Sequence, residues 1–252
     1  MSYVYDSDFF DYIDGGVRRS ATAMIGDALS PLAPGSVLDV GCGRGLWLSV
    51  WQAAGVSDVT GVDGDYVERS RLAIPEAQFV AADLTEPVDL GRRFDVVQSL
   101  EVAEHLPPEA SDRFVETLVR HGDIIVFSAA VPGQGGENHI NEQPIETWRA
   151  RFASHGYDAF DAVRPRLRSK AEVEPWYRFN TLIYANPDGA ARLPSAVRAA
   201  RLAPGTPVPT VGNLGWRLRL ALVALLPRGA VTAIARVRAA AIAMQSRWQS
   251  KR

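Results

Sequence analysis

Apolar residues occur in short runs in the first half of the chain, and most runs end at a glycine or an acidic residue. The first run, Ser36–Val40, stops at a group of glycines, and apolar residues then recur at helical spacing over residues 46–54. This pattern predicts a β-strand, a glycine turn and an α-helix. Runs that stop at or just before acidic residues predict three further strands, at residues 59–62, 78–82 and 94–99.

The pattern after residue 100 completes an α/β body. A helix predicted at residues 111–119 precedes a fifth strand at 123–128, and a second helix is predicted at 145–155. Two more strands are expected at residues 157–163 and 179–185. Strands that alternate with helices favour a seven-stranded, mostly parallel sheet with helices on both faces, and ligands of such sheets lie at the carboxyl ends of the strands.

The last quarter of the chain differs in composition from the rest. Residues 189–252 contain ten arginines, one lysine and no acidic residue, so they carry +11, while the remainder carries −13 within a net charge of −2. A body this negative disfavours nucleic acid as a partner. We expect an N-terminal helical lid (residues 1–35), a ligand-binding catalytic domain (36–187) and a basic, alanine- and arginine-rich helical extension (188–252).

The single cysteine, Cys42, excludes a disulfide framework and a thiolate metal cluster. No secretion signal of charged and then apolar residues is present at the N-terminus, so a cytoplasmic location is expected. The apolar run at 218–226 contains Arg219 and stops at Pro227, which makes it too short to cross a bilayer. The basic extension fits three roles: packing on its own body or in a homodimer, association with an anionic membrane surface, or a mobile tail.

Three glycines at alternate positions follow the first strand in the string V-L-D-V-G-C-G-R-G. Glycines there let the backbone touch a bound ligand. Asp63 closes the second strand 20 residues after Gly43, where a carboxylate can accept hydrogen bonds from a ribose diol. The G-x-G-x-x-G spacing of dinucleotide folds is absent, although Asp63 alone suits NAD equally well. The alternative for each of these residues is an ordinary tight turn or a helix N-cap.

Four motifs in order resemble the class I S-adenosylmethionine-dependent methyltransferases across residues 36–128: V-L-D-V-G-C-G-R-G, G-V-D-G-D, A-A-D-L and F-D-V-V-Q-S-L-E-V-A-E-H-L. The resemblance implies a Rossmann-like fold and S-adenosylmethionine as methyl donor. It also implies which residues hold the donor: the turn that starts at Asp39 orients it, with Gly41 and Gly43 at the methionine part, Asp63 at the ribose, Asp83 and Leu84 at the adenine, and Ser99 and Leu100 near the sulfonium.

The N-terminal stretch alternates aromatic residues with aspartates over residues 5–14 and then leads into a helix toward Leu29. In similar enzymes this region shields the methionine end of the donor. The resemblance therefore implies a lid in which Tyr12 and Ser20 contact the donor. A capped surface helix is the alternative.

Methyl transfer to a hydroxyl requires that the acceptor lie close to the methyl group and lose its proton, so a base or a metal is needed. Glu101, Glu104 and His105 follow the fourth strand at a spacing that would place them on one face of a helix. His139 comes 34 residues later, in a polar, glycine-rich loop. Because such a loop borders the ligand crevice, we expect His139 to be the general base, oriented by Glu104 and His105.

The side chains of Glu101, Glu104, His105 and His139 also form a set suited to a divalent cation such as Mg²⁺, which would lower the pKa of an acceptor hydroxyl. The E-x-x-E-H string with a later histidine resembles the metal-assisted arrangement of small-RNA 2′-O-methyltransferases and ubiquinone-pathway O-methyltransferases. In the alternative, Glu101 and Glu104 start a helix and His105 packs beneath the site. The pattern leaves both interpretations open.

The string G-G-E-N-H-I-N-E-Q-P, with the aromatic residues that follow it, resembles a bacterial subgroup associated with polysaccharide and glycoside methylation, including methylation of mannose oligosaccharides. Sugars need flat apolar faces and hydrogen bonds. We therefore expect sugar O-methylation, as in polysaccharide biosynthesis, with these acceptor contacts: Asn138, Asn141, Gln143, Arg164, Trp176 and Tyr177. Two alternatives stay open: a small natural-product or quinone hydroxyl as acceptor, and a non-enzymatic nucleoside-binding scaffold.

Overall fold

The computed structural model describes residues 7–227, 229–235 and 237, and side chains from residue 14 onward. Seven strands in this part of the chain form one sheet: β1 (Ser36–Val40), β2 (Asp58–Asp63), β3 (Phe79–Ala81), β4 (Val96–Leu100), β5 (Ile124–Ser128), β6 (Asp158–Phe160) and β7 (Leu182–Ala185). The α-helices are α1 (Ser7–Met24), α2 (Leu46–Ala53), α3 (Ser111–His121), α4 (Ile145–Ser154), α5 (Arg164–Leu167), α6 (Pro175–Asn180), α7 (Pro187–Arg192), α8 (Ser195–Arg198) and α9 (Leu214–Val223).

The strand order in the sheet is β3-β2-β1-β4-β5-β7-β6. β1 pairs in parallel with β2 and with β4, and β7 runs antiparallel to its neighbours β5 and β6. The predicted seven-stranded, mostly parallel sheet is therefore confirmed. Its strand order reverses between β1 and β4, which is the place where open α/β sheets bind their ligands.

Both faces of the sheet are covered by helices, so apolar residues of the central strands point to both faces. Val37 and Val96 point into one core, which contains α1, α2, α6 and α8. Leu38 and Val97 point into the other core, which contains α3 and α4. The strict alternation of strand residues between two cores explains why these runs read as continuous apolar stretches in the sequence.

One predicted boundary differs clearly from the structure. The last strand begins at Leu182 and not at residue 179, because α6 continues through Asn180. Between β2 and β3 the chain forms 3₁₀ turns at Arg69–Arg71 and Glu76–Gln78.

The basic extension begins as part of the body. Leu193 and Val197, from the segment that holds α7 and α8, are buried in the same core as α1 and α2. α9 follows after a proline-rich linker, and no helix in the described ranges is long and apolar enough to span a membrane. The predicted extension also includes residues 238–252, which lie outside the described part of the chain.

Candidate functional site

A cavity of about 1050 Å³ opens at the carboxyl ends of β1, β2 and β4. It lies where the strand order reverses, as expected for a ligand site in an open sheet. Its walls include the glycine turn after β1, the segments after β2 and β3, the chain after β4, and side chains from α1 and α6. The residues predicted from the sequence that line it are Gly41, Gly43, Asp63, Asp83, Leu84, Leu100, Glu101, His105, Asn138 and Tyr177.

The turn after β1 has no room for a side chain at Gly41 or Gly45. Gly41 has φ +85°, and a Cβ there would lie 2.3 Å from Cγ2 of Val102. Gly45 has φ +77°, and a Cβ there would lie 2.9 Å from Cγ1 of Ile74. The backbone N–H of Gly41 donates to the carbonyl of Val62 at 2.8 Å, which fixes the turn against β2. The close packing of the turn therefore requires glycine at these two positions.

Asp63 ends β2 inside the cavity. Its carboxylate accepts hydrogen bonds from the N–H of Gly43 at 2.6 Å, the N–H of Gly64 at 2.6 Å and the hydroxyl of Tyr66 at 2.5 Å. Burial raises the pKa of Asp63, and the hydrogen bond from Tyr66 opposes that rise. The neighbouring Asp65 also lines the cavity, but its side chain is 93% exposed and pairs with Arg69 at 2.8 Å. Asp63 is the buried carboxylate at the end of β2 that can accept hydrogen bonds from a bound diol.

Asp83 and Leu84 line the far side of the cavity, beyond β3. One oxygen of Asp83 accepts hydrogen bonds from the backbone N–H of Thr85 at 2.9 Å and from its hydroxyl at 2.7 Å. These bonds hold the carboxylate at the cavity wall. The Leu84 side chain is buried next to it and supplies an apolar surface of the kind that a flat base needs.

Three residues predicted to contact the donor do not line the cavity. Asp39 is buried beside Gln98, and burial raises the pKa of its carboxyl to about 7. Ser99 is also fully buried in β4. Ser20 lies in the core, where its hydroxyl accepts a hydrogen bond from the N–H of Glu174 at 3.0 Å. These three side chains are buried in the scaffold beneath the cavity, and the side chain of Tyr12 lies outside the described part of the chain.

Arg44 is a cavity residue that the sequence reasoning missed. Its guanidinium is 5% exposed and pairs with Asp14 of α1 at 3.0 Å, and both residues line the cavity. The ion pair ties α1 to the glycine turn. This position of α1 is consistent with the predicted lid. The G-C-G-R-G string could have indicated this ion pair, because an arginine inside a buried glycine turn needs an acidic partner.

The predicted helix at Glu101 to His105 is wrong. Glu101 has φ +59°, and a 3₁₀ turn at Ala103–His105 follows it, because the chain leaves β4 through a left-handed residue and soon meets Pro107. Glu104 is fully buried, and neither of its carboxylate oxygens has a partner in hydrogen-bonding geometry among the described residues. Burial and the nearby charge of Glu101 raise the pKa of Glu104 well above its usual range.

His139 contacts a carboxylate that the sequence reasoning overlooked. Its Nδ1 lies 2.9 Å from Oε1 of Glu142, and the carboxylate of Glu142 accepts hydrogen bonds from the N–H groups of Gly133 at 2.8 Å and Gly135 at 2.7 Å. Glu142 therefore orients His139, and the predicted role of Glu104 and His105 in orienting it stays a prediction. The sequence could have indicated this contact, because His139 and Glu142 are three residues apart in one polar loop.

His105 lines the cavity and contacts His139, which does not line it. The centroids of the two imidazole rings are 4.9 Å apart and the rings meet edge to face. Burial and the neighbouring His139 lower the pKa of His105 to about 3, so its ring is neutral at physiological pH. Ligand atoms of Glu104, His105 and His139 lie within 4.8 Å of one another, a spacing that suits a metal ion. Glu101 is outside this group and accepts a hydrogen bond from Gln134 at 2.5 Å.

Two of the predicted acceptor contacts line the cavity. Asn138 borders it beside His105, and Tyr177 borders it from α6. The ring of Tyr177 packs edge to face against Trp47, which also lines the cavity, with ring centroids 5.2 Å apart. The cavity thus combines an aromatic wall with a polar edge.

The other four predicted acceptor contacts do not line the cavity. Arg164 is buried and pairs with Asp161 at 2.7 Å, because a guanidinium in the core needs a carboxylate partner. Asn141 is buried and donates to the hydroxyl of Ser111 at 3.0 Å. Gln143 donates to Asn141 at 2.9 Å. Trp176 packs at the margin of the core. Their polar groups are used to fix the loop and the core.

Comparisons with known proteins agree with this arrangement. The sequence model of a methyltransferase domain matches residues 17–156, more than half of the chain. A search of curated protein sequences gave no match. Among solved structures, DesVI of Streptomyces venezuelae is 16% identical with a TM-score of 0.53, over 73% of this chain and 100% of that chain.

Two further solved structures are similar over most of their length. The sugar N-methyltransferase KedS8 from a Streptoalloteichus species is 19% identical, with a TM-score of 0.49 over 74% of this chain and 94% of that chain. The methyltransferase domain of the bacterial protein CtHen1-C is 20% identical, with a TM-score of 0.49 over 67% of this chain and 97% of that chain. The match of the domain model, on a Rossmann-like sheet whose strand ends form the cavity, shows that the chain belongs to the S-adenosylmethionine-dependent methyltransferase family.

Proposed function

We propose that the protein is an O-methyltransferase that acts on a hydroxyl group of a sugar or oligosaccharide, with His139 as general base and His105, which lines the cavity, between His139 and the acceptor. The hydrogen bond between His139 and Glu142 carries this proposal. A carboxylate at Nδ1 favours the tautomer with the proton on that atom, which leaves the lone pair on Nε2 to take a proton. An amine acceptor has less need of such a base, because its nitrogen already carries a lone pair when neutral.

The cavity residues fit S-adenosylmethionine, which supplies an electrophilic methyl group on a sulfonium when it is bound. Gly41 and Gly43 line the cavity, so the backbone of this turn can approach the amino-acid end of the donor. Asp63 is held at the cavity wall by three donors and can accept hydrogen bonds from a ribose. The apolar side chain of Leu84 is placed to contact the adenine.

The size and chemistry of the cavity support a sugar as acceptor. Pockets for one small molecule usually measure roughly 300–1,000 Å³. The cavity of about 1050 Å³ is therefore large enough to hold an acceptor beside the donor. Trp47 and Tyr177 offer an apolar aromatic surface, and Asn138 offers amide hydrogen bonds, the two kinds of contact that a saccharide uses.

Methyl transfer from isotopically labelled S-adenosylmethionine tests both parts of the proposal. The acceptors are mannose oligosaccharides, amino sugars of the same size, and catechols. We expect label in the neutral saccharides. His139→Ala should lower the transfer rate about a hundredfold or more, since general bases contribute on that order, while the affinity for S-adenosylhomocysteine stays unchanged. His155→Ala is the matched control, because His155 is exposed at the end of α4. Full activity of His139→Ala, or transfer to amines or catechols alone, would contradict the proposal.

A second mechanism for the same function is favoured by Glu104. A fully buried carboxylate with two unpartnered oxygens, near His105 and His139, is suited to bind a divalent cation that lowers the pKa of the acceptor hydroxyl. Calorimetric titration with Mg²⁺ and Mn²⁺ separates the two mechanisms. Binding that is lost in Glu104→Gln, with transfer abolished by a chelator, would make His139 a metal ligand. No heat and chelator-resistant transfer would leave His139 as the base.

A further inference from the structure

α9 exposes a row of leucines that no described part of the body covers. Leu214, Leu218 and Leu222 are 82%, 56% and 55% exposed, and Leu225 in the turn that follows is 80% exposed. Their spacing of three to four residues places them on one side of the helix. Single exposed leucines are common on protein surfaces, but a continuous row of four marks an interaction surface. We call these four residues the leucine row.

The opposite side of α9 is fixed to the body. Trp216 is buried and its ring packs against Phe179, with centroids 6.0 Å apart. The guanidinium of Arg219 donates to the carbonyl of Gln134 at 3.1 Å. A Cβ at Gly133 would lie 2.4 Å from the carbonyl oxygen of Leu220. The helix is therefore docked on the loop of the candidate site, and the leucine row points away from that contact.

The segment that carries the leucine row is basic. Arg217 is exposed and lies beside the row by helical spacing, whereas Arg219 is part of the contact with the body. Residues 189–252 contain eleven basic residues and no acidic residue, whereas the rest of the chain carries a net negative charge. A leucine row on a basic segment is complementary to a surface that combines apolar chains with negative charge.

We infer that α9 rests on an anionic lipid surface, with the leucine row buried at the level of the headgroups and Arg217 beside the lipid phosphates. A second copy of the chain fits this surface less well. A symmetric contact between two α9 helices would bring the same arginines together, and the segment contains no carboxylate to offset them. The lipid contact does not depend on the acceptor of the methyl group.

Vesicle co-sedimentation of the full chain tests the inference. One set of vesicles is phosphatidylcholine alone, and the other contains phosphatidylglycerol. We expect strong binding only to the second set, weakened by salt, and reduced about tenfold or more in Leu218→Gln/Leu222→Gln. The matched control is Val80→Gln, which changes a partly exposed apolar residue on β3, far along the sheet from α9. Arg217→Glu should weaken binding in the same direction.

Three results would overturn the inference. The first is equal binding to neutral and anionic vesicles, and the second is equal binding of the wild type and Leu218→Gln/Leu222→Gln. The third is a concentration-dependent dimer that sediments as a monomer in the double variant, which would assign the leucine row to a second copy. Because Leu218 and Leu222 are exposed, the double variant should keep the unfolding midpoint of the wild type, and this is measured alongside.

Discussion

Gly41 offers a direct test of why the turn after β1 must be glycine. In Gly41→Ala the new methyl group would lie 2.3 Å from Cγ2, 2.5 Å from Cγ1 and 3.0 Å from Cβ of Val102. Forcing this carbon into the contact costs about 1–3 kcal/mol, as for other overpacked sites. The φ of +85° adds about 1–2 kcal/mol for a residue with a Cβ. The free energy of unfolding should therefore fall by roughly 2–5 kcal/mol.

A double-mutant cycle separates these two contributions. Val102→Ala removes both methyl groups that collide and leaves the contact at 3.0 Å, which a small shift relieves. In the Val102→Ala background, Gly41→Ala should lower the free energy of unfolding only by the cost of a positive φ for a residue with a Cβ, about 1–2 kcal/mol. The matched control is Gly156→Ala, because Gly156 has φ +80° and no atom within 4 Å of its Cβ position. Gly156→Ala should lower the free energy of unfolding by that amount as well, about 1–2 kcal/mol.

The assay is urea unfolding of the wild type and the variants, followed by tryptophan fluorescence and circular dichroism. The coupling between positions 41 and 102 should be about 1–3 kcal/mol and should appear in the midpoint, with little change in slope. The steric reasoning is refuted if Gly41→Ala costs as much in the Val102→Ala background as in the wild type. It is also refuted if Gly156→Ala and Gly41→Ala cost the same amount in the wild type.

Three further predictions concern Asp39, Asp63 and Gly136. Burial raises the pKa of Asp39 to about 7, so the folded state keeps a proton that the unfolded chain loses near pH 4. The free energy of unfolding should therefore fall by up to about 4 kcal/mol as the pH rises from about 4 to above 7. In urea unfolding, Asp39→Asn should flatten this pH profile. Asp63→Ala should weaken S-adenosylhomocysteine binding about tenfold or more in calorimetry. Asp58→Ala, at the other end of β2 and away from the cavity lining, should not. A Cβ at Gly136 would lie 2.1 Å from Nε2 of His139, so Gly136→Ala should slow transfer while leaving S-adenosylhomocysteine affinity unchanged; normal transfer would show that this imidazole position is not needed.

The sheet and the glycine turn were predictable because their signals are local. A strand buried on both faces is apolar throughout, and the turn after β1 needs glycine at φ values that other residues avoid. The same reasoning located Asp63 correctly at the end of β2. The start of β7 was misjudged because Phe179 is apolar in either structure, and the sequence does not say whether a helix or a strand buries it.

The interior of the site was less predictable because its contacts join distant segments. Helical spacing suggested that Glu101, Glu104 and His105 share a helix face, but Glu101 takes a left-handed conformation and the chain turns. Arg164 looked like an acceptor contact, yet it neutralises Asp161 in the core. The partner of His139 depends on the fold of one loop, which no periodic pattern encodes.

The reactivity of Cys42 reports on the cavity. It is the single cysteine of the chain, lines the cavity and is 7% exposed, and burial raises the pKa of its thiol well above the usual range. Such a thiol reacts with disulfide reagents only when the surrounding structure opens. The labelling rate of the unmodified protein therefore measures the free energy of opening at the donor end of the sheet. Any compound that slows the labelling is thereby detected as a ligand of the cavity, without knowledge of the acceptor.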